Sequence, residues 1–392
     1  MAELKRVEDL VVRDKRVFTR VDFNVPLKHG KVMDELRVQA AVPTIQYLLS
    51  QHATVILASH LGRPDGKPMG EYSLEPVAVL LSKLLNREVL FLHDCVGEDV
   101  QARVQAMRPG QVALLENLRF HAEEEANDPA FARALADLAD VYVDDAFAVA
   151  HRAHASVVGI PQYLPHAAGK LLQAEVNTLS SLLEKPKHPF VAIIGGAKIS
   201  DKIAFLHNLM KKADTIVISG AMANTFLAAQ GHNMRASIYD KKGMETAREI
   251  LAEAQRRHVE VILPVDVMVA ESPDAHKAHA VTVGQLDEGE MALDIGPASV
   301  TNINVAIQDA KTIFWNGTLG LTENPAFAVA STAVAKTIAG SKALSVIGGG
   351  DTAGFIDAIG MHEKFDFIST GGGAALELLA GKKLPAVEAL RR

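Results

Sequence analysis

His60, Arg63, Arg119, His151 and Arg152 each stand just after a short apolar run of this 392-residue chain. Asp22 and Asn24 follow another such run, Val17–Val21, and Arg37 comes soon after. A guanidinium fork matches a carboxylate or a phosphate through two parallel hydrogen bonds. A single arginine is ordinarily a solvated surface charge, so none of these residues makes a site alone. Their repetition at equivalent positions is the signal. If the apolar runs are parallel strands, their C-terminal ends share one edge. The bases then converge with Asp22, Asn24 and Arg37 on a crevice suited to a small anion. Arg20, Asp144 and His154 read as structural supports for those loops.

A different chemistry recurs in the second half. Gly195-Gly196-Ala197-Lys198 leads to Lys202, two lysines four apart where a helix would begin. That spacing puts both on one helix face, either reaching one phosphate chain or simply solvated. Leu344–Ile347 runs into Gly348-Gly349-Gly350-Asp351-Thr352, and Phe367–Ser369 into Thr370-Gly371-Gly372-Gly373. Each reads as a strand, a tight turn and a helix N-terminus. The unpaired N–H groups and partial positive charge of such a terminus suit a phosphate. Asp351 and Thr352 fall where the helix would be capped, and Asp351 equally suits a phosphate-bound Mg²⁺. A glycine-rich turn in any parallel sheet would look similar. The P-loop order and the dinucleotide G-x-G-x-x-G are both missing.

The elements that must position these residues alternate. Val17–Val21, Thr54–Ser59, Val89–Leu92, Val112–Leu115 and Val141–Val143 read as strands, with Val157–Ile160 as a sixth. Helical segments such as Val38–Ser50 and Ser73–Asn86 lie between them. A second series begins at Phe190 and includes Thr215–Ser219, Val261–Leu263 and Lys311–Trp315. Met234–Glu260 reads as largely helical and Val281–Val283 as part of a small hairpin, with His276 and His279 as loop residues. This is the pattern of two Rossmann-like three-layer α/β domains with parallel sheets. Residues 1–167 form the first domain, 168–185 an interdomain helix ending at a Pro-rich break, and 186–384 the second domain.

Bulk properties narrow the reading. The formal charge of −7 gives no electrostatic case for a nucleic-acid partner. The lone Cys95 excludes an intramolecular disulfide and fits a reducing compartment. No apolar run is long enough to span a membrane, and the charged start lacks a signal-peptide core. A cytoplasmic protein is expected. One half offers cationic forks and the other glycine turns, lysines and an acid. Two phosphate-bearing substrates imply phosphoryl transfer, which needs positioning and charge stabilisation rather than a nucleophile.

The chain resembles phosphoglycerate kinase over essentially its full length. The matching segments are Arg20–Pro26, Ser59–Pro64, Leu114–Phe120, Asp145–Phe147, Ala150–His154, Gly195–Lys198, Trp315–Gly317, Gly348–Thr352 and Thr370–Gly373. The resemblance implies reversible transfer of the acyl phosphate of 1,3-bisphosphoglycerate to Mg-ADP, giving 3-phosphoglycerate and ATP in glycolysis and gluconeogenesis. It assigns Asp22, Asn24, Arg37, His60, Arg63, Arg119, His151 and Arg152 to the phosphoglycerate. It assigns Gly196, Ala197, Lys202, Gly220, Asn316, Glu323, Gly349, Gly350, Asp351 and Thr352 to the nucleotide, with Asp351 anchoring Mg²⁺. Arg37, Lys198 and the N–H groups of Gly371, Gly372 and Gly373 would neutralise the moving phosphoryl group. It further implies a monomer that closes about a hinge, with a tail, 385–392, that packs back on the first domain. The chain departs from the family at Ala148-Val149, at Thr318 in place of Pro, and at Ser219-Gly220-Ala221; none of these removes a charge. A dinucleotide dehydrogenase or ligase would need the missing fingerprint or a general base. A non-catalytic binding protein would be favoured by loss of Arg37, Lys198 or Asp351, all present.

Overall fold

The structure, a computed structural model, describes residues 4–200 and 202–391. Met1–Glu3, Asp201 and Arg392, the last residue of the expected tail, lie outside the described residues. The chain divides into two units, Met1–Asn177 with Lys383–Arg392, and Thr178–Lys382. The helix Lys170–Glu184 runs from one into the other.

The first unit is built on a six-stranded parallel sheet. Its spatial order is Val89–Leu92, Val112–Leu115, Thr54–Ala58, Arg16–Arg20, Val141–Asp144 and His166–Ala168. Thr54–Ala58 is buried along its whole length, which explains its unbroken apolar run. Val17, Val55, Leu57, Leu114 and Val143 meet Val38, Ile45, Leu48, Val77 and Leu81 of the covering helices in one core. The order reverses at the first strand. There Arg20 pairs with Ala58 on one side and Asp144 on the other. The residues after each strand therefore emerge together at the switch point, where open α/β sheets bind ligands.

The second unit repeats the plan, in the order Glu260–Ile262, Thr215–Ile218, Phe190–Ile194, Thr312–Asn316, Leu344–Gly348 and Phe367–Ile368. Asn316 pairs with Ile194 on one side and Gly348 on the other, so three loops leave at one level. A separate antiparallel sheet joins Asp266–Ala270 to His279–Thr282 and Met291–Ile295. Val281 thus belongs to a three-stranded sheet rather than an isolated hairpin. Among the described residues no helix is long and apolar enough to cross a membrane.

Two further expectations are corrected. Val157–Ile160 is not a strand, because Ala155–Gly159 forms a single π-helical turn. The backbone N–H and hydroxyl of Ser156 both bond the Glu124 carboxylate, so the segment turns away from the sheet. The sixth strand is His166–Ala168 instead. Helix in the 234–260 region is confined to Met244–Arg257 and the 3-10 turn Lys241–Gly243 that leads into it. Arg235 adopts a left-handed conformation, and the Asp240 carboxylate turns the chain through Lys242 before that helix starts.

The start of the connecting helix is pinned by Asp145. Its Oδ1 accepts from the N–H groups of Leu171 and Leu172 at 2.8 and 3.2 Å, while Oδ2 is buried without a partner. Burial raises this carboxyl from an ordinary 3.8 to about 7, against the pull of its hydrogen bonds. The folded protein therefore keeps a proton that the unfolded chain sheds near its ordinary value. The stabilisation is full below that value and is lost as pH rises through 7. Asp144 and Asp294, raised to about 6 and about 7 by burial, act with the same sign. The urea midpoint is expected to fall between about pH 4 and 7, and Asp145→Asn, which mimics the protonated acid, to flatten that slope. An Asp145→Asn profile as steep as the parent's would remove Asp145 from this account.

Candidate active site

At the switch point of the first unit Asp22, Asn24, Arg37, His60 and Arg119 form one connected cluster. Arg37 lies in the first turn of the helix Leu36–Ser50, and its Nη1 donates to Asp22 Oδ2 at 2.6 Å. Asp22 Oδ1 accepts from the Asn24 N–H at 3.1 Å, and Asn24 Oδ1 accepts from the Gly62 N–H at 2.9 Å. Arg119 Nη1 donates to the Gly62 carbonyl at 2.7 Å. His60 is buried among Arg20, Arg119, Arg152 and Arg37. Burial first, then these four positive charges, hold its imidazole well below the ordinary value. It is neutral at pH 7, and the 3.8 Å approach of Asp22 to its Nδ1 is not an ion pair.

Below this cluster lies a support that sequence reading did not single out. Glu124 is fully buried and grips Ser156, whose hydroxyl accepts from Arg20 Nε at 2.8 Å. Arg20 Nη2 lies 3.4 Å from His60. Arg20 is thus a structural support, as expected. Arg119 is only 4% exposed, yet its Nε and Nη2 have no hydrogen-bond partner, and neither does Arg152 Nε. Burial lowers the Arg119 guanidinium to about 10, which leaves it charged at neutral pH. Buried cationic donors without acceptors are costly, and an anionic ligand would relieve that cost. Arg63 stands exposed after Gly62, and His151 is half-buried beside Arg152.

Two adjoining cavities lie where the strands of the second unit end. The first, of about 250 Å³, has apolar walls from Pro264, Val267, Leu293, Ile295 and Leu319. Gly196, Ala197 and Gly220 line it too, together with two acids, Asp294 and Glu323. The second, of about 300 Å³, is lined by Lys202, Asn316, Gly349, Gly350, Asp351 and Thr352, together with Gly372. Gly196 and Thr318 line both cavities, so the two adjoin. A flat aromatic base and its sugar suit the first, and a phosphate chain the second. Exposed Asp351 supplies a hard carboxylate oxygen there, which together with phosphate oxygens fits Mg²⁺.

Several local readings change. Lys198 and Lys202 do not share a helix face, because the helix begins only at Ile203. Ile199 is buried against Gly243, which keeps the loop irregular. Lys202 Nζ donates to Asn316 Oδ1 at 2.7 Å and to the Gly195 carbonyl, tying two loops together. Lys198 is exposed and lines neither cavity. Asp351 and Thr352 do not cap their helix, since Gly349 is the N-cap and makes no side-chain cap bond. Thr352 Oγ1 instead accepts from the Gly317 N–H at 2.7 Å. Of the three N–H groups expected to be available at Gly371–Gly373, that of Gly371 already donates to Ser369 Oγ at 3.1 Å.

Sequence reading missed Pro264, Val267 and Leu293, because plain apolar residues carry no signal of which surface they wall. It also missed Thr318 as a lining residue, although the loop was recognised.

A family model described as phosphoglycerate kinase matches residues 7–382. The phosphoglycerate kinase of Moorella thermoacetica is 51% identical over 391 residues, covering 100% of this chain and 99% of the relative. That of Pelotomaculum thermopropionicum is 49% identical over 387 residues, 98% of each chain. Among solved structures, phosphoglycerate kinase from Coxiella burnetii matches with a TM-score of 0.89 at 40% identity, over 99% of both chains. The enzyme from Pyrococcus horikoshii matches with a TM-score of 0.87 at 32% identity, over 99% of this chain and 98% of that one.

Proposed function

Because this chain belongs to the phosphoglycerate kinase family, we propose a division of labour among its residues for that reaction. The reaction is the reversible transfer of a phosphoryl group between 1,3-bisphosphoglycerate and ADP, giving 3-phosphoglycerate and ATP. One observation carries the assignment of the first unit: the buried Arg119 guanidinium, whose Nη2 has no acceptor and whose Nε meets only the half-exposed Glu125 carboxylate, with no aligned hydrogen bond. With Arg63, Arg152 and His151 it binds the phosphoglycerate phosphate and carboxyl end. Neutral His60 and Asn24 fix orientation, and Asp22 aims Arg37 at the reacting carboxyl.

In the second unit the adenine enters the apolar cavity over Gly196, Ala197 and Gly220, and Glu323 takes the ribose. The phosphates lie along Lys202, Asn316 and Gly349–Thr352. Asp351 holds Mg²⁺, which neutralises phosphate charge when bound. In the ATP-consuming direction the nucleophile is the substrate carboxylate, already ionised at pH 7, so no general base is required. A carboxylate oxygen bonds to the γ-phosphorus, and the bond from that phosphorus to the bridging oxygen of ADP breaks. Arg37, Lys198 and the N–H groups of Gly372 and Gly373 stabilise the transferring oxygens. In-line transfer requires the two substrates to meet, so the proposal includes closure about a hinge. A cytoplasmic monomer completes the reading, in keeping with the lone Cys95.

A coupled assay of 3-phosphoglycerate plus ATP tests it. Turnover is expected with Mg²⁺ and none after chelation. Asp351→Asn should lower kcat/KM for Mg-nucleotide by about a hundredfold, the scale of losing a key electrostatic contact. A parent protein inactive with Mg²⁺ present would refute the proposal.

A further inference from the structure

Glu124 and Glu125 are neighbours with opposite fates. Glu124 is locked into the interior by Ser156. Glu125 ends the one-turn helix Ala122–Glu125 and turns toward the anion cluster. Its Oε1 lies 3.0 Å from Arg119 Nε and 4.0 Å from Arg152 Nη1. The side chain is 46% exposed, whereas that of Arg119 is 4% exposed. The closer contact is one of charge and not an aligned hydrogen bond, because Arg119 Nε still has no hydrogen-bond partner. The guanidinium itself is fixed through Nη1 on the Gly62 carbonyl. A half-solvated carboxylate thus faces a rigid cation whose donors stay open.

We infer that Glu125 is an internal counter-anion that competes with the phosphoglycerate for Arg119 and Arg152 and so sets the affinity for that substrate. The inference rests on the assignment of Arg119 and Arg152 to the phosphoglycerate under the proposed function. Without Glu125, Arg119, Arg152 and Arg20 would repel one another across a buried space. With it, an incoming anion must displace a carboxylate that is half in water. Displacement costs little because the freed carboxylate gains solvent, yet it subtracts from binding of every anion at this place. The same contact speeds release of the product, since Glu125 returns as the phosphoglycerate leaves.

The test is Glu125→Gln, which keeps the shape and removes the charge. KM and the calorimetric Kd for 3-phosphoglycerate should fall about three- to tenfold, the scale of one partly exposed charge contact. The Kd for ADP and kcat should stay within about twofold of the parent. The gain should shrink as salt is raised from about 50 to 500 mM. Glu125→Asp, which draws the charge back by one methylene, should give a smaller gain in the same direction, and it decides the matter if Glu125→Gln does not fold. An unchanged or raised KM for 3-phosphoglycerate overturns the inference. Arg119→Ala separates the two claims. If it leaves 3-phosphoglycerate affinity intact, the site assignment itself fails. If it weakens binding while the Glu125 variants match the parent, only the counter-anion role fails.

Discussion

Arg37→Ala is expected to lower kcat by about two to three orders of magnitude in both directions, the range seen when a preorganised donor is removed from a developing charge. ADP affinity should hardly change, because every residue proposed to face the nucleotide lies in the other unit. Geometry is the basis of this expectation. Arg37 is about one-third exposed, so its loss leaves no large cavity and little stability is at stake. Its Nη1 is held on Asp22 Oδ2 at 2.6 Å, and Asp22 is held in turn by the Asn24 N–H. The guanidinium is therefore aimed before substrate arrives, which is what makes a charge useful in a transition state. Arg37→Lys should recover only part of the rate, because a compact ammonium cannot hold Asp22 through one nitrogen while presenting others to a phosphoryl oxygen. Asp22→Asn should give a smaller loss in kcat by the same path. An Arg37→Ala enzyme with near-parent kcat but raised KM for 3-phosphoglycerate would make this residue a binding group only.

What sequence could show here depended on how local the cause was. The anion cluster was legible because a buried parallel strand is an unbroken apolar run, and the residues after it are forced to the sheet edge. Arg119 after Val112–Leu115 and His60 after Thr54–Ala58 needed nothing more. The same logic found the glycine turns at Gly196, Gly317 and Gly349. It failed where a distant residue decides. Lys198 and Lys202 have helical spacing, but Ile199 is drawn into the core against Gly243, more than forty positions away. Ser156 belongs to a segment with strand-like composition, and Glu124 takes its N–H away from any sheet. The apolar wall of the base cavity was invisible because the antiparallel sheet that supplies Val267 and Leu293 comes from pairing across a loop. Glu124 itself sits in an acidic run, and only the fold reveals that its carboxylate is fully buried. Local patterning thus placed the residues that follow each strand, while their supports were set by contacts between distant segments.

Gly195→Ala should weaken nucleotide binding by at least about tenfold from a position that bears no functional side chain. A Cβ on Gly195 would lie 2.2 Å from the Thr318 carbonyl oxygen and 2.7 Å from the Gly317 carbonyl carbon and oxygen. These are backbone atoms, and they are tethered on every side. The Gly195 N–H donates to the Asn316 carbonyl at 2.8 Å. Trp315 Nε1 donates to the Gly317 carbonyl at 2.7 Å, and the Gly317 N–H to Thr352 Oγ1 at 2.7 Å. Relief of the clash must therefore part the loops after Phe190–Ile194 and Thr312–Asn316, or break one of those bonds. Either movement reshapes both cavities, since Gly196 and Thr318 line each of them. Overpacking of this kind costs about 1–3 kcal/mol, so the melting temperature should fall by several degrees. ADP affinity should fall by at least about tenfold, or about 1.4 kcal/mol, measured by calorimetry on the folded variant. Gly354→Ala is the control. It lies in the helix Gly350–Ala358, where nothing is within 4 Å of an added methyl, and it should leave affinity unchanged while slightly raising stability. A Gly195→Ala protein that binds ADP and melts like the parent would mean that the two loops are free to separate. The glycine turns proposed to hold the nucleotide would then owe their placement to the substrate rather than to the sheet.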